Sequence, residues 1–354
     1  MQTIKKVSLD VSNSVVVEHK IGSMRTAFSV RQLILCLSVL CVIPAYAKND
    51  WMSATLDNDF FVNEDNGYTN GLYVSSYEID DTPSFEPNND VWVKPFMWSM
   101  PSDPALTRVK VDSFSQTLMT PNDLTLRNPP ESSFPYAGLL SYTNTYISVR
   151  ADHADKISTT IGVVGPLALG KQTQKTIHKI IGAQDPKGWD TQLKNEPVFM
   201  ISRSRTWRTW VSKSGKMDFL MGGGVNVGTI KSGVNTGMIL RYGNRMENSF
   251  ASVLLSSSRI SNPIAVDHGW FVFTGVLFNY DFNHIFMDGN TFRDSRSIDY
   301  DHSTSIFSSG LSYSWGDASL AFAINTPFSI NGDARDSELD KYFRYGTLTF
   351  AWAL

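Results

Sequence analysis

Gln174 and His178 stand four positions apart in the stretch GPLALGKQTQKTIHKIIGAQDPKGWD, residues 165–190. Four positions is about one helical turn, so on a helix both side chains share a face. An imidazole beside an amide can take a proton and hold an oxyanion, which is what hydrolysis by an activated water needs. The same stretch opens on a near match to the phosphate-binding pattern G-x-x-x-x-G-K-[ST]. Gln172 stands where that pattern requires a hydroxyl for Mg²⁺, and Pro166 removes a backbone donor. Gly165, Pro166 and Gly170 therefore read as a turn into a helix, and no nucleotide is expected. For His178 the plainer alternative is a packed histidine bonded to a neighbouring carbonyl.

A second polar group lies far upstream. TLDNDFFVNEDNGYTNGL, residues 55–72, holds Asp57, Asn58, Asp59, Glu64 and Asp65, all oxygen donors. Hard oxygen ligands select Ca²⁺ over Zn²⁺, although a polar hairpin loop has the same composition and no EF-hand spacing is present. Asn58 and Asp59 are adjacent, so on a regular strand they face opposite sides. Either both sit where the strand ends and twists, or one contributes its backbone carbonyl. No G-x-S-x-G, H-E-x-x-H or paired His occurs, which leaves a His, amides, carboxylates and a possible calcium ion.

The elements that must position these groups are mostly strands. Period-two alternation, broken by turn residues, predicts strands near 51–60, 68–79, 107–119, 136–151, 156–168, 195–211, 214–228, 232–242, 270–283, 303–315, 317–328 and 343–353. Twelve antiparallel strands, several longer than soluble ones, fit an all-β transmembrane β-barrel of even strand number. Short turns at 212–217 and 314–319 contrast with long loops at 80–106, 120–135, 169–194, 243–269 and 284–302, and are expected at opposite ends. One helix is expected, Lys171 to Ala183, in an extracellular loop. Gln174, Ile177, His178, Ile180 and Ile181 lie on its apolar face; Gln172, Lys175, Thr176 and Lys179 lie on the other.

Composition supports this reading. The chain has 354 residues, nine Trp, thirteen Tyr and twenty-one Phe, with 18% charged residues and a formal net charge of −3. Without a clustered basic surface, nucleic acid is not expected as a partner. A mean hydropathy of −0.16 is too polar for a helical membrane bundle. From Met24, two arginines, an apolar run from Leu33 to Ile43 and Ala45-Tyr46-Ala47 read as a secretory signal peptide cleaved after Ala47. That run falls short of the ~20 residues a spanning helix needs. Residues 1–47 are thus the signal region, with Met24 the expected start, and 48–354 a single barrel domain. Both cysteines, Cys36 and Cys41, fall in the first part, so no disulfide or thiolate is expected in the second.

At DND (57–59), GYTNGL (67–72), QTLMTP (116–121) and VVGPLALGKQTQKTIHKIIGAQDPKGWDTQLKNE (163–196) the sequence resembles the lipid A 3'-O-deacylase family. The resemblance implies a twelve-stranded outer-membrane enzyme, with its site between the barrel wall and the loop helix. It implies hydrolysis of the 3'-linked acyloxyacyl chain of lipid A in lipopolysaccharide, dependent on Ca²⁺. Matched residue by residue, it makes His178 the general base and Gln174 its partner for water or oxyanion. Asn58, Asp59 and Thr69 join the site, with Asp59 and then Asn58 as calcium ligands. The family's loop Lys after the third strand has no counterpart, and Arg127 is the nearest cation, offered as a substrate contact with different geometry. A non-catalytic porin or adhesion barrel, and an outer-membrane phospholipase, are the alternatives.

Overall fold

The computed structural model describes residues 50–62, 68–80, 93–100, 107–246, 268–328 and 344–354. The signal-peptide reading and the acidic residues Glu64 and Asp65 lie outside these residues. Twelve strands follow one another in chain order: β1 (Trp51–Asn58), β2 (Tyr68–Asp80), β3 (Thr107–Met119), β4 (Ala137–Val149), β5 (His153–Val164), β6 (Glu196–Val211), β7 (Met217–Gly228), β8 (Lys231–Asn244), β9 (Trp270–His284), β10 (Ser303–Ser314), β11 (Ala318–Phe328) and β12 (Tyr345–Ala353). Each pairs antiparallel with its neighbours, and β1 closes on β12 from Trp51↔Ala353 to Asn58↔Gly346. Closure satisfies every edge, which is the condition for crossing a bilayer with strands.

Strand parity fixes which connection lies at which end. β1 starts and β12 finishes at one end, here the terminal end, and odd-numbered strands run away from it. The connections 59–67, 120–136, 165–195 and 285–302 then lie at the opposite, distal end. The expected segregation of long loops from short turns is corrected by this: the connections 81–106 and 245–269 share the terminal end with the turns at 212–216 and 315–317. Among the described residues two α-helices occur at the distal end, α1 (Gly170–Ile181) and the short α2 (Ile285–Asp288).

The lumen is filled at both ends. Near the terminal end Tyr77, Val111, Ile147, Leu220 and Ile239 form one buried cluster. Beside it, Arg241 donates to Asp218 through Nε at 2.8 Å and Nη2 at 2.5 Å, and Arg208 Nε donates to the same carboxylate at 2.9 Å. At the distal end Ile285, Phe286 and Met287 of α2 pack with Leu139, Val198 and Tyr345. Paired charges inside one cluster and apolar contact in the other leave no unpaired ion in the lumen at these places.

Helix α1 begins one residue before, and ends two before, the expected Lys171–Ala183. Gly182 stops it because its φ of +73° is a left-handed cap conformation, and the Ala183 N–H turns back to the His178 carbonyl at 2.9 Å. β5 likewise ends at Val164 rather than 168, because Pro166–Ala168 make a 3₁₀ turn. Leu169, with φ of +59°, then feeds the chain into α1.

Candidate functional site

Register and exposure together sort each strand into an inward and an outward face. Asn70 of β2 pairs with Leu118 of β3, and Leu118 with Gly138 of β4. All three belong to the outward face at the distal rim. Helix α1 docks there, on the outside of the wall: a Cβ at Gly138 would meet Ala168 and Gly170, and Gln116 Nε2 donates to the Ala168 carbonyl at 2.6 Å. Gly170 has to be small, since a Cβ would lie 2.5 Å from Trp189 Cη2. Trp189, wholly buried, packs with Leu118, Leu124 and Tyr136. Burial of four large side chains outside the barrel is what pins the helix, each contributing on the order of 1.5–3 kcal/mol.

On α1 the expected polar pair is buried together: Gln174 is 1% exposed and His178 8%. Gln172, Lys175, Thr176 and Lys179 are exposed, as the helical period requires. Ile180 departs from expectation, being 42% exposed, because the docked stripe is narrow and Ile180 lies at its margin.

The hydrogen bonds around the pair define its chemistry. His178 Nδ1 lies 2.5 Å from the Gln184 carbonyl. A carbonyl only accepts, so Nδ1 carries a proton, and Nε2 is the nitrogen whose lone pair is available in the neutral ring. Trp189 Nε1 donates to Gln174 Oε1 at 2.6 Å. That bond fixes the amide with its NH₂ on the other side, and Gln174 Nε2 is buried with no protein partner. A buried donor without an acceptor costs free energy unless something else occupies it. The face therefore presents one free base and one free donor.

Asn58 is the last residue of β1 and Asp59 the first of a 3₁₀ turn, Asp59–Val62, so both sit where the strand ends. Asp59 is 4% exposed. Asp57, on the inward face, accepts from Thr347 Oγ1 at 2.6 Å. Thr69 lies in β2 where the register shifts between Tyr68 and Asn70. The neighbouring Asn70 is buried and its Oδ1 has no hydrogen-bond partner. Asn58, Asp59, Thr69 and Asn70 thus share the distal rim of β1 and β2, beside the wall strand β3 that carries α1.

As a calcium site this group fits in donor type: a buried carboxylate, amide oxygens and a hydroxyl, all hard ligands, with the unpartnered Asn70 oxygen among them. Among the described residues no three His, Cys, Asp or Glu side chains cluster for a metal, so most donors would be neutral oxygens or solvent.

Arg127 is exposed in the loop after β3, near Asp190. The hydrogen bond from Lys171 Nζ, 2.7 Å long, holds the Asp190 carboxyl below its usual range, and the charges of Lys171 and Arg127 add to this. Two further candidate residues were not singled out from the sequence. Asn70 stood within the quoted GYTNGL as an ordinary polar residue, and Trp189 was present only as an aromatic in the quoted stretch after the helix.

A closed barrel with a helix docked on its outer wall, holding a buried His–Gln pair, defines a membrane-embedded β-barrel with a candidate site on its side. The family described as "Outer membrane protein LpxR" matches residues 33–354. The chain belongs to that family and is an outer-membrane protein. Among solved structures it is similar to LpxR from Salmonella typhimurium, with a TM-score of 0.65 at 15% identity, covering 86% of this chain and 100% of that one. The translocator domain of the autotransporter NalP from Neisseria meningitidis is matched at a TM-score of 0.34 and 7% identity, over 91% of this chain and 92% of that one, too distant to carry an argument. No curated protein sequence matches the chain.

Proposed function

We propose that the protein is a calcium-dependent esterase of the outer membrane that hydrolyses the 3'-linked acyloxyacyl chain of lipid A, the distal end facing outward. The observation that carries this reading is the buried pair itself: His178 with a free Nε2 beside Gln174 with a free amide donor. A water held by Nε2 gives up its proton as its oxygen attacks the ester carbonyl. The carbonyl oxygen becomes an oxyanion, toward which Gln174 Nε2–H can donate. Collapse breaks the bond to the sugar oxygen, which takes the proton back from Nε2 and leaves as an alcohol. The acid is released, and the histidine returns to its starting state. The Gln184 carbonyl favours the imidazolium that forms in between, since it accepts from Nδ1 throughout.

Asp59 and Asn58, with Asn70 Oδ1 and Thr69, would hold Ca²⁺, which when bound polarises an ester or phosphate oxygen. Arg127 would meet an anionic group of the lipid head. A site on the side of the barrel suits a substrate that enters laterally from the outer leaflet. A porin would need an open lumen, whereas apolar and ion-paired clusters occupy both ends of this one.

Mass spectrometry of lipid A from cells expressing the wild type tests the activity. Loss of one acyloxyacyl unit is expected, abolished by His178→Ala and by a calcium chelator. Loss of a phospholipid chain instead would identify a phospholipase. Unchanged lipids in wild-type membranes and in detergent extracts would overturn the proposal.

A further inference from the structure

The outer wall of β6 places charge where lipid should be. Phe199 and Trp207 lie on its outward face, 46% and 43% exposed, as on a strand that meets acyl chains. Midway between them on the same face stands Arg203, opposite the exposed Val225 of β7. The stretch from Phe199 to Trp207 covers ~20 Å of bilayer at ~3.3 Å per residue and a tilt near 40°, so Arg203 sits ~10 Å from either aromatic. Asp155 of β5 faces outward next to it, bonded to Arg203 and to Arg205 Nε at 2.8 Å. Acyl chains cannot solvate such a pair.

A segment from the connection between β2 and β3 covers the pair. Residues 93–100 lie on the outer face of the wall, where Val93 and Met100 pack on Tyr146 of β4 and Ile157 of β5, with Phe96 and Met97 against the same cluster. Arg203 fastens the segment: Nη2 and Nε donate to the Ser99 carbonyl at 3.0 and 3.3 Å. The same guanidinium also donates to Asp155, to the Ser204 carbonyl and, at 3.4 Å, to the Lys156 carbonyl. Under this cover the Asp155 side chain has no exposed surface, although it points out of the barrel.

The segment is built for a place without water. Irregular backbone is tolerated at bilayer depth only where its polar groups are satisfied within the protein. Lys94–Ser99 is a 3₁₀ turn in which the Phe96 N–H donates to the Val93 carbonyl and the Met100 N–H to the Met97 carbonyl, both at 2.9 Å. Ser99 Oγ donates to the Phe96 carbonyl at 2.8 Å, and Pro95 has no N–H to satisfy. Trp98 is 84% exposed and so stands on the side away from the wall. Lys94, exposed at the start of the turn, has a stem long enough to carry its ammonium back toward the headgroups.

We infer that residues 93–100 are a re-entrant segment, fastened to Arg203, that lies inside the bilayer between the barrel wall and the acyl chains of the leaflet at the terminal end. Its partner is phospholipid hydrocarbon, which Trp98 meets directly. The arrangement is reciprocal. The segment takes Arg203 and Asp155 out of lipid, and Arg203 caps a carbonyl that would otherwise be bare in hydrocarbon. The membrane boundary then runs at the same depth all round, past Trp207 and Trp210 of β6 as past Trp270 of β9 and Trp352 of β12. None of this depends on the esterase reading.

Residues 48–354 contain no cysteine, so with Cys36 and Cys41 replaced by Ser, single Trp98→Cys, Met238→Cys and Ser214→Cys variants can each carry one spin label. Met238 is an exposed outward residue in the middle of β8 and gives the lipid reference; Ser214, exposed in the turn 212–216, gives the water reference. In dioleoylphosphatidylcholine vesicles the label at 98 is expected to collide with oxygen, like the label at 238. It should be protected from the water-soluble nickel complex that reaches 214. Adding Arg203→Met should turn the profile at 98 toward nickel while 238 stays oxygen-dominated, which reports that the barrel is still inserted. A nickel-dominated label at 98 with Arg203 in place would overturn the inference, because the segment would lie in water. So would a label at 98 shielded from both reagents, which would mean that a protein partner or a second copy covers it. An unchanged oxygen profile at 98 in the Arg203→Met background would overturn the fastening by Arg203. The comparison with Arg203 in place decides the membrane position even if the Arg203→Met chain does not insert.

Discussion

β3 and β9 alternate equally well and mean opposite things. On β3 the apolar residues Val109 and Val111 point into the lumen, and Arg108, Lys110 and Asp112 point out. On β9 the outward residues are Trp270, Val272 and Val276, beside the small inward Gly275. The two arcs share a backbone architecture and differ in phase. Around β8–β12 the outward face is made for lipid. Around β2–β4 the wall gives up that surface, first to a docked helix with a buried polar pair, then to the charges of Glu78, Lys110 and Asp112, before β6 resumes outward aromatics at Trp207 and Trp210. The candidate site lies on the arc where the barrel's general rule is broken, which is where local inconsistency signals function.

Substitutions can break or sharpen this contrast. The largest loss short of the histidine itself is expected at Gln174→Ala, ~10²-fold in kcat if its amide holds the oxyanion. A change on the lipid-facing wall of the other arc, Val272→Ser, should leave kcat unaltered and only weaken the barrel's seating in the bilayer. Trp189→Phe keeps the packing against Tyr136 and removes the bond to Gln174. A ~3–10-fold loss is expected, and it should vanish in the Gln174→Ala background, because the two act as one unit. Equal losses in both backgrounds would make Trp189 a packing residue alone.

A pH effect comes next. Burial pushes the Tyr136 hydroxyl up to about 12, above the ~10 of an exposed tyrosine. Its contribution to loop docking is therefore complete below pH ~10 and is lost as pH rises toward 12. The protection of residues 182–195 against hydrogen exchange, taken relative to the intrinsic rate at each pH, should fall over that window, and Tyr136→Phe should abolish the fall. The smallest effect is expected at Asp190→Asn. This exposed partner of Lys171 should change turnover by less than ~2-fold, since surface ion pairs contribute little.

Much of this was legible before any coordinates. Twelve strands, their approximate bounds and the single long helix follow from periodicity, because both 2.0 and 3.6 periods survive in the side-chain pattern. The buried placement of Gln174 and His178 follows from the same 3.6 period. Phase was not legible: alternation in TRVKVDSFSQ does not say which face meets lipid, and only the closed register assigns it. The placement of 81–106 and 245–269 at the terminal end was readable from strand parity, yet loop length suggested otherwise. Ile180 and the helix end were misjudged for a local reason, since Gly182 stops the helix a residue before Ala183 and the docked stripe is narrow. Trp189 and Asn70 could not be found by residue type, because their roles depend on which polar atoms burial leaves unpaired.

The central claim is that His178 activates water against a lipid A ester. The most direct measurement is release of acyloxyacyl acid from purified lipid A in detergent micelles, with calcium, by the wild type and by His178→Ala. Detergent removes any restraint that the native membrane imposes. The wild type should release one equivalent of acid, and the variant should be slower by ~10²–10⁴-fold while retaining the folded barrel. Equal rates for the two proteins, or intact lipid A with both, would contradict the account.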